Sequence, residues 1–217
     1  MLFFINILAD VLFPKRCVGC ERYGAWWCQS CYKSVTLHTV QDASTPPSDS
    51  VLKTVWVAAS YDQESLQRAL HAFKYQFVTA LAKPLGGLMV DFCKSTASAG
   101  MQADMIVAVP LFYKRERWRG FNQAQLLAQA VGHHRNLSVV PALKRQVSTR
   151  PQVGLDAPAR RLNVQGAFIC PNPAVVAGRR VLLVDDVIST GSTLAACAEA
   201  LYQAGAVRVE AFVLTKN

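Results

Sequence analysis

The sequence predicts an α/β fold: a central, mostly parallel sheet flanked by helices, with a small N-terminal four-cysteine module in front of it. Three observations predict it. Val181-Leu182-Leu183-Val184 is an apolar run without alternation, the pattern of a strand buried on both faces of a parallel sheet. Asp104 to Pro110 (D-M-I-V-A-V-P) is a second such strand. Cys17-x-x-Cys20 and Cys28-x-x-Cys31 form two tight knuckles early in the chain.

A chain of 217 residues suits one sizeable domain with an appendage, and 52% hydrophobic residues exclude a disordered chain. The expected division is residues 1–35 for an N-terminal helix and cysteine module, 36–50 for a linker, and 51–217 for the main domain. The net charge of +9 is concentrated: ten of the 23 Lys/Arg lie between Phe112 and Arg161, against two of the 14 acids. A field of that kind calls for an anionic partner, either a pyrophosphate, a nucleic acid, or both.

Taken in order, Leu2, Phe3, Ile5, Leu8, Val11, Leu12 and Phe13 fall near helical spacing up to Pro14. This predicts a short amphipathic helix docked on the cysteine module, with peripheral membrane contact as the alternative. The stretch is too short to span a bilayer and lacks the basic flank and cleavage site of a signal peptide, so no stable membrane insertion is expected. Seven cysteines, an odd number with two C-x-x-C pairs, point to metal in a reducing compartment and a cytoplasmic protein. Cys17, Cys20, Cys28 and Cys31 suit tetrahedral structural Zn²⁺; an iron–sulfur centre and unliganded thiols are the competing readings. Trp26 and Trp27 are expected to pack the knuckle against its neighbour, with base stacking as the sharper role.

Pro46-Pro47 marks the linker. Val51 to Tyr61 reads as β-rich, and Ser65 to Tyr75 as a helix with Leu66, Ala69, Leu70 and Phe73 on its apolar face. His71 and Lys74 lie three apart and could face a ligand, but the solvated side is the expected place for both. Phe77 to Phe92 reads as a longer helix in which Pro84 and Gly86-Gly87 predict a kink or a close helix contact. Beyond the Asp104–Pro110 strand comes a basic loop with Lys114, Arg115, Arg117, Trp118 and Arg119, able to hold a pyrophosphate through arginine forks. Its interleaved aromatics also fit a single-stranded nucleic-acid groove. Asn122 is placed to cap a helix over Gln123 to Gly132. Asn136 to Pro141 reads as a short strand. Leu143 to Phe168, with Arg145, Thr149, Gln152, Leu155, Arg160, Asn163, Gly166 and Phe168 standing out, reads as a long basic lid. Val207 to Leu214 is the closing strand.

After Val181–Val184 come Asp185 and Asp186, then Ser189-Thr190-Gly191-Ser192-Thr193, then a helix from Leu194 to Ala204. A helix start offers backbone amides and a positive dipole to a phosphate, and Gly191 lets the backbone approach it. Ionised carboxylates accept hydrogen bonds, so two acids nearby suit a vicinal diol. A ribose 5-phosphate meets both demands. A Walker B strand would need a Gly-Lys-containing loop, and the chain has no Gly-Lys dipeptide.

The thirteen residues Val181 to Thr193 resemble the phosphoribosyl-pyrophosphate (PRPP) signature of type I phosphoribosyltransferases. The ordered set V-P-L, R-G-F-N-Q-A, R-x-x-x-T-x-x-Q, R-x-x-N-x-x-G-A-F and V-L-L-V-D-D-V-I-S-T-G-S-T, behind a four-cysteine knuckle, is similar to the competence protein F (ComF) family. The resemblance implies a type I phosphoribosyltransferase-like fold, PRPP binding with Mg²⁺, and cytoplasmic handling of imported single-stranded DNA in natural transformation, with competence or recombination proteins as partners. PRPP would lie on Asp185, Asp186, Ser189 to Thr193, Lys114 and Arg115. Asp185, Asp186, Arg117 and Arg119 would serve transfer, and Arg117, Trp118, Arg119, Arg145, Arg150 and Arg160 would hold DNA. The alternative is a non-catalytic DNA-binding module using PRPP as a ligand or signal. Purine-salvage relatives carry an aspartate at the position of Ser189; serine is no base at neutral pH, which argues against that reaction and leaves the acceptor open.

Overall fold

The computed structural model describes residues 14–38, 51–52, 54–94, 100–147 and 166–217. The expected N-terminal helix, nearly all of the linker and, in the lid, Thr149, Arg150, Gln152, Leu155, Arg160 and Asn163 lie outside the described residues. A one-turn helix α1 (Gln29–Lys33) closes the second cysteine pair. Strand β1 (Val55–Ser60) leads to helix α2 (Glu64–Tyr75). A 3₁₀ turn (Thr79–Leu81) precedes α3 (Ala82–Phe92). Next come β2 (Met105–Ala108), α4 (Tyr113–Arg119) and α5 (Gln123–Arg135). Strands β3 (Lys144–Arg145) and β4 (Phe168–Ile169) form a small antiparallel pair. The chain then runs through β5 (Arg180–Ile188), α6 (Ser192–Gln203) and β6 (Arg208–Lys216).

The main sheet has the order β1-β6-β5-β2, and every pair in it is parallel. Val181 to Val184 of β5 and Val209 to Leu214 of β6 are buried, as expected for strands covered on both faces. Glu210 is the one charged residue in that run. Trp56 Nε1 donates to its Oε2 at 3.0 Å, and Arg208 pairs with its Oε1 at 2.6 Å. The last strand in sequence is interior: β6 lies between β1 and β5. The register Ala108↔Val184 brings the ends of β2 and β5 side by side, and Val109 N donates to Val184 O at 3.0 Å. The segments that follow these strands therefore emerge next to each other, at the carboxyl edge where ligands of open α/β sheets bind.

Local departures from expectation have physical causes. Helix α3 starts at Ala82, so Pro84 sits in the first turn, where a missing N–H is tolerated, and makes no kink. The glycine pair serves a close helix contact: a Cβ on Gly86 would come within 2.6 Å of Ala130 Cβ on α5. The segment after β2 is helical as α4 and ends at Gly120, whose φ of 82° is left-handed and whose N–H bonds to Glu116 O at 2.7 Å. Asn122 caps α5 as expected, accepting from Ala124 N at 3.0 Å, and its Nδ2 donates to Val109 O at 3.0 Å, which fixes the cap to the end of β2. The expected strand at 136–141 is reduced to a parallel bridge of Val139 with Ile106, with Pro141 unable to donate further.

The α3–α5 contact gives a test. Gly→Ala in a helix gains about 1 kcal/mol from propensity, but the overlap with Ala130 opposes it by about 1–3 kcal/mol. Gly86→Ala is expected to lower the urea midpoint, and Gly87→Ala, where a Cβ would face the movable end of Tyr32, to lower it less.

Candidate functional site

Strand β5 carries both acids and continues to Ile188 before the chain turns. Gly191, at φ 77°, is the N-cap of α6, and the helix starts at Ser192, two residues earlier than the sequence pattern implied. Thr190 Oγ1 and Ser192 Oγ are 2.9 Å apart, which braces the turn. An open, shallow pocket is lined by Asp185 and by Val187 to Leu194. Amides and hydroxyls at a helix start thus share one pocket with a carboxylate.

Two adjacent carboxylates at a buried strand end need counter-charge. Asp186 is 4% exposed; its Oδ1 lies 2.9 Å from Lys74 Nζ, and its Oδ2 has no hydrogen-bond partner among the described residues. Asp185 Oδ1 accepts the Asp186 N–H at 2.9 Å. Burial, and then the charge of Asp186, push the Asp185 carboxyl up to about 7, against the pull of that N–H, Lys74 and Arg145. Burial draws the Lys74 ammonium down, but the Asp186 carboxylate outweighs it and the net shift is upward. Arg119 is 7% exposed, with Nε and Nη1 unpartnered among the described residues and its guanidinium 5.8 Å from the Tyr75 ring centroid. Burial lowers its pKa while Asp186 opposes the shift. Arg145 lies over the Phe168 ring at 5.3 Å, within electrostatic reach of Asp185.

The structure therefore divides the expected site residues. Asp185 and the Ser189–Thr193 turn line one pocket, and Asp186 is buried next to them, outside that lining. Arg119 and Arg145 are in electrostatic reach of the acids. Lys114, Arg115, Arg117 and Trp118 line the exposed face of α4; Trp118 is 63% exposed and meets Phe77 edge-on at 4.9 Å. Arg150 and Arg160 lie outside the described residues. Lys74 was expected in solvent and is instead the ion-pair partner of Asp186. A signal existed: Leu66, Leu70 and Lys74 are spaced i, i+4, i+8, on the stripe that faces the core. His71 is exposed, as expected, and packs on Tyr75.

The four N-terminal cysteines also converge. The sulfurs of Cys17, Cys20, Cys28 and Cys31 all lie within 4.8 Å of one another, and Cys20 and Cys28 are 3.6 Å apart. A tetrahedral zinc with Zn–S near 2.3 Å needs sulfurs about 3.8 Å apart, so the set fits the ion. Burial raises the Cys17 thiol, but N–H groups of Cys28, Cys20 and Gly19 overcome this and bring it to about 6. Burial and the neighbouring sulfurs push Cys31 up to about 12. Trp27 is buried, with Nε1 donating to Ser65 Oγ at 2.8 Å, and so serves packing; Trp26 is partly exposed. Ser65 Oγ donates to Cys31 O, Arg68 to Gly19 O, and Tyr32 Oη to Asp91 Oδ2, which seats the knuckle on α2 and α3. No helix among the described residues is long and apolar enough to cross a membrane.

Two outcomes follow. The folded chain holds the Asp185 proton up to about pH 7, whereas an unfolded aspartate releases it near ~3.9. Stability should therefore fall as pH rises through that window and stay lowered above it. Asp185→Asn is expected to raise stability at pH 8, on the order of 1 kcal/mol after screening, and to change little at pH 4, as read by thermal unfolding. Elemental analysis should find one zinc per chain, and Cys17→Ser should lose both metal and soluble protein.

Known proteins are similar to much of this chain. The model of the phosphoribosyl transferase domain family matches residues 96–217. The DNA utilization protein YhgH of Escherichia coli (strain K12) is 34% identical over 155 residues, which cover 70% of this chain and 67% of that protein. Competence protein F of Haemophilus influenzae is 33% identical over 158 residues, covering 70% and 69%. Among solved structures, the glutamine PRPP amidotransferase from B. subtilis superposes with a TM-score of 0.41 and 21% identity, over 61% of this chain and 25% of that one. The two sequence relatives and the matched domain place the chain in the competence protein F family, with its phosphoribosyl transferase domain at residues 96–217.

Proposed function

We propose that the chain binds PRPP with Mg²⁺ in the cytoplasm and transfers its phosphoribosyl group to an acceptor during the handling of imported single-stranded DNA. The observation that carries this reading is the single pocket joining Asp185 to the Ser189–Thr193 turn at the head of α6. The turn suits the 5-phosphate and the acids suit the ribose hydroxyls. The Asp185 carboxyl, pushed up to about 7, and the buried, unpartnered Asp186 Oδ2 mark an acid pair short of positive charge, which fits a magnesium-chelated pyrophosphate ester. Magnesium would supply charge neutralisation for the departing pyrophosphate. Lys114, Arg115, Arg117 and Arg119 would add to that neutralisation, and the reaction would rest on positioning and electrostatics.

DNA enters the reading through two supports. Relatives bear the names DNA utilization protein and competence protein. Trp118 with Arg117 presents an exposed aromatic beside a cation on α4, the combination that binds single strands by stacking and phosphate contact. Arg145, Arg150 and Arg160 would extend that surface. A second, non-catalytic reading is favoured by one residue: Ser189 is exposed in the turn and offers no base to an acceptor.

Calorimetry with PRPP and Mg²⁺ should register binding that Asp186→Asn weakens at least about tenfold but leaves measurable; no heat at millimolar PRPP sinks the reading. Pyrophosphate release that requires both an acceptor and Asp186 supports transfer, and binding without release supports the module. Trp118→Ala should weaken single-stranded DNA binding by about 1–3 kcal/mol, and Arg117→Ala should reduce the salt slope by about 1. A flat salt response would remove DNA from the account.

A further inference from the structure

Lys74 belongs to α2, outside residues 96–217, yet its ammonium lies 2.9 Å from Asp186 Oδ1. The two side chains are 19% and 6% exposed. Such a pair is weak evidence of a stabilising role, because removing two charges from water offsets most of their attraction. An apolar residue on the stripe of Leu66 and Leu70 would seat α2 as well. The ion pair has a more specific effect on the acid. A carboxylate held at one oxygen cannot rotate freely, so Lys74 leaves Asp186 Oδ2 in a single orientation, buried and without a partner. Arg119 stands close enough to feel the charge of Asp186, also buried and with two unpartnered nitrogens. One oxygen of Asp186 is thus held by Lys74, and the other has no hydrogen-bond partner among the described residues.

We infer that Lys74 is a positioning residue for the sugar site: it fixes Asp186 Oδ1 so that Oδ2 accepts a hydrogen bond from the cis-diol of a phosphorylated pentose. The inference rests on the sugar-phosphate reading of the pocket. It places part of the binding site in the N-terminal segment that the matched domain does not contain. The lysine acts through Asp186 and not on the phosphate, so its loss should fall on diol-bearing ligands alone.

Binding of PRPP with Mg²⁺, of ribose 5-phosphate and of inorganic phosphate is measured for wild type, Lys74→Met, Lys74→Arg, Asp186→Asn and the Lys74→Met/Asp186→Asn double variant. Lys74→Met is expected to weaken both sugar phosphates at least about tenfold, the loss of a charge-assisted contact, and to leave inorganic phosphate within about twofold. Lys74→Arg should recover most of the loss, and the double variant should bind no worse than Asp186→Asn alone. Wild-type affinity in Lys74→Met overturns the inference and leaves the sugar-phosphate reading standing. Equal loss for inorganic phosphate, or no recovery with arginine, also overturns it, because Lys74 would then serve folding. If wild type binds neither sugar phosphate, the reading itself falls and takes the inference with it. Should Lys74→Met fail to fold, Lys74→Gln carries the same comparison.

Discussion

Charge balance at the end of β5 is the constraint on which the site depends. An apolar strand buried on both faces delivers two consecutive carboxylates to the edge of the sheet, and desolvation penalises both. The protein answers with cations drawn from separate parts of the chain: Lys74 from α2, Arg119 from α4 and Arg145 from β3. Each is itself partly or wholly buried, so none is a casual surface charge. The balance is nonetheless incomplete, since Asp185 stays pushed up and atoms of Asp186 and Arg119 stay unpaired.

The cysteine knuckle and the acid pair meet through α2. Ser65 and Arg68, near the start of that helix, hold the knuckle; Lys74, near its end, holds Asp186. Between them Leu66, Leu70 and Phe73 bury the helix against the core. The four-cysteine module and the buried acid of β5 therefore contact one helix. A module too small for a hydrophobic core of its own gains a seat, and the helix gains a fixed starting point.

What the sequence made legible was local. The strand, turn and helix around Asp185 follow from an apolar run, a glycine and a hydroxyl-rich bend within about a dozen residues. The knuckle follows from the spacing of Cys17, Cys20, Cys28 and Cys31, and the cap at Asn122 from one residue beside an amphipathic run. What stayed hidden was relational. Nothing near Lys74 announces Asp186, which is more than a hundred positions away, although its place on the Leu66–Leu70 stripe was visible. The basic segment at 113–119 was expected as a loop because its charges dominate its apolar pattern; as a helix it sends Arg119 inward and leaves Arg117 and Trp118 outside. The interior place of β6 depends on which strands pair, and no single segment encodes that.

The strand order has a practical consequence for anyone isolating the matched domain. A fragment starting at residue 96 would discard β1, and β6 would lose its neighbour along Val55 to Ser60. The newly bared backbone of Ala211 to Lys216, largely apolar, would be a template for pairing with other copies, so the shortened chain should clump before its chemistry could be read.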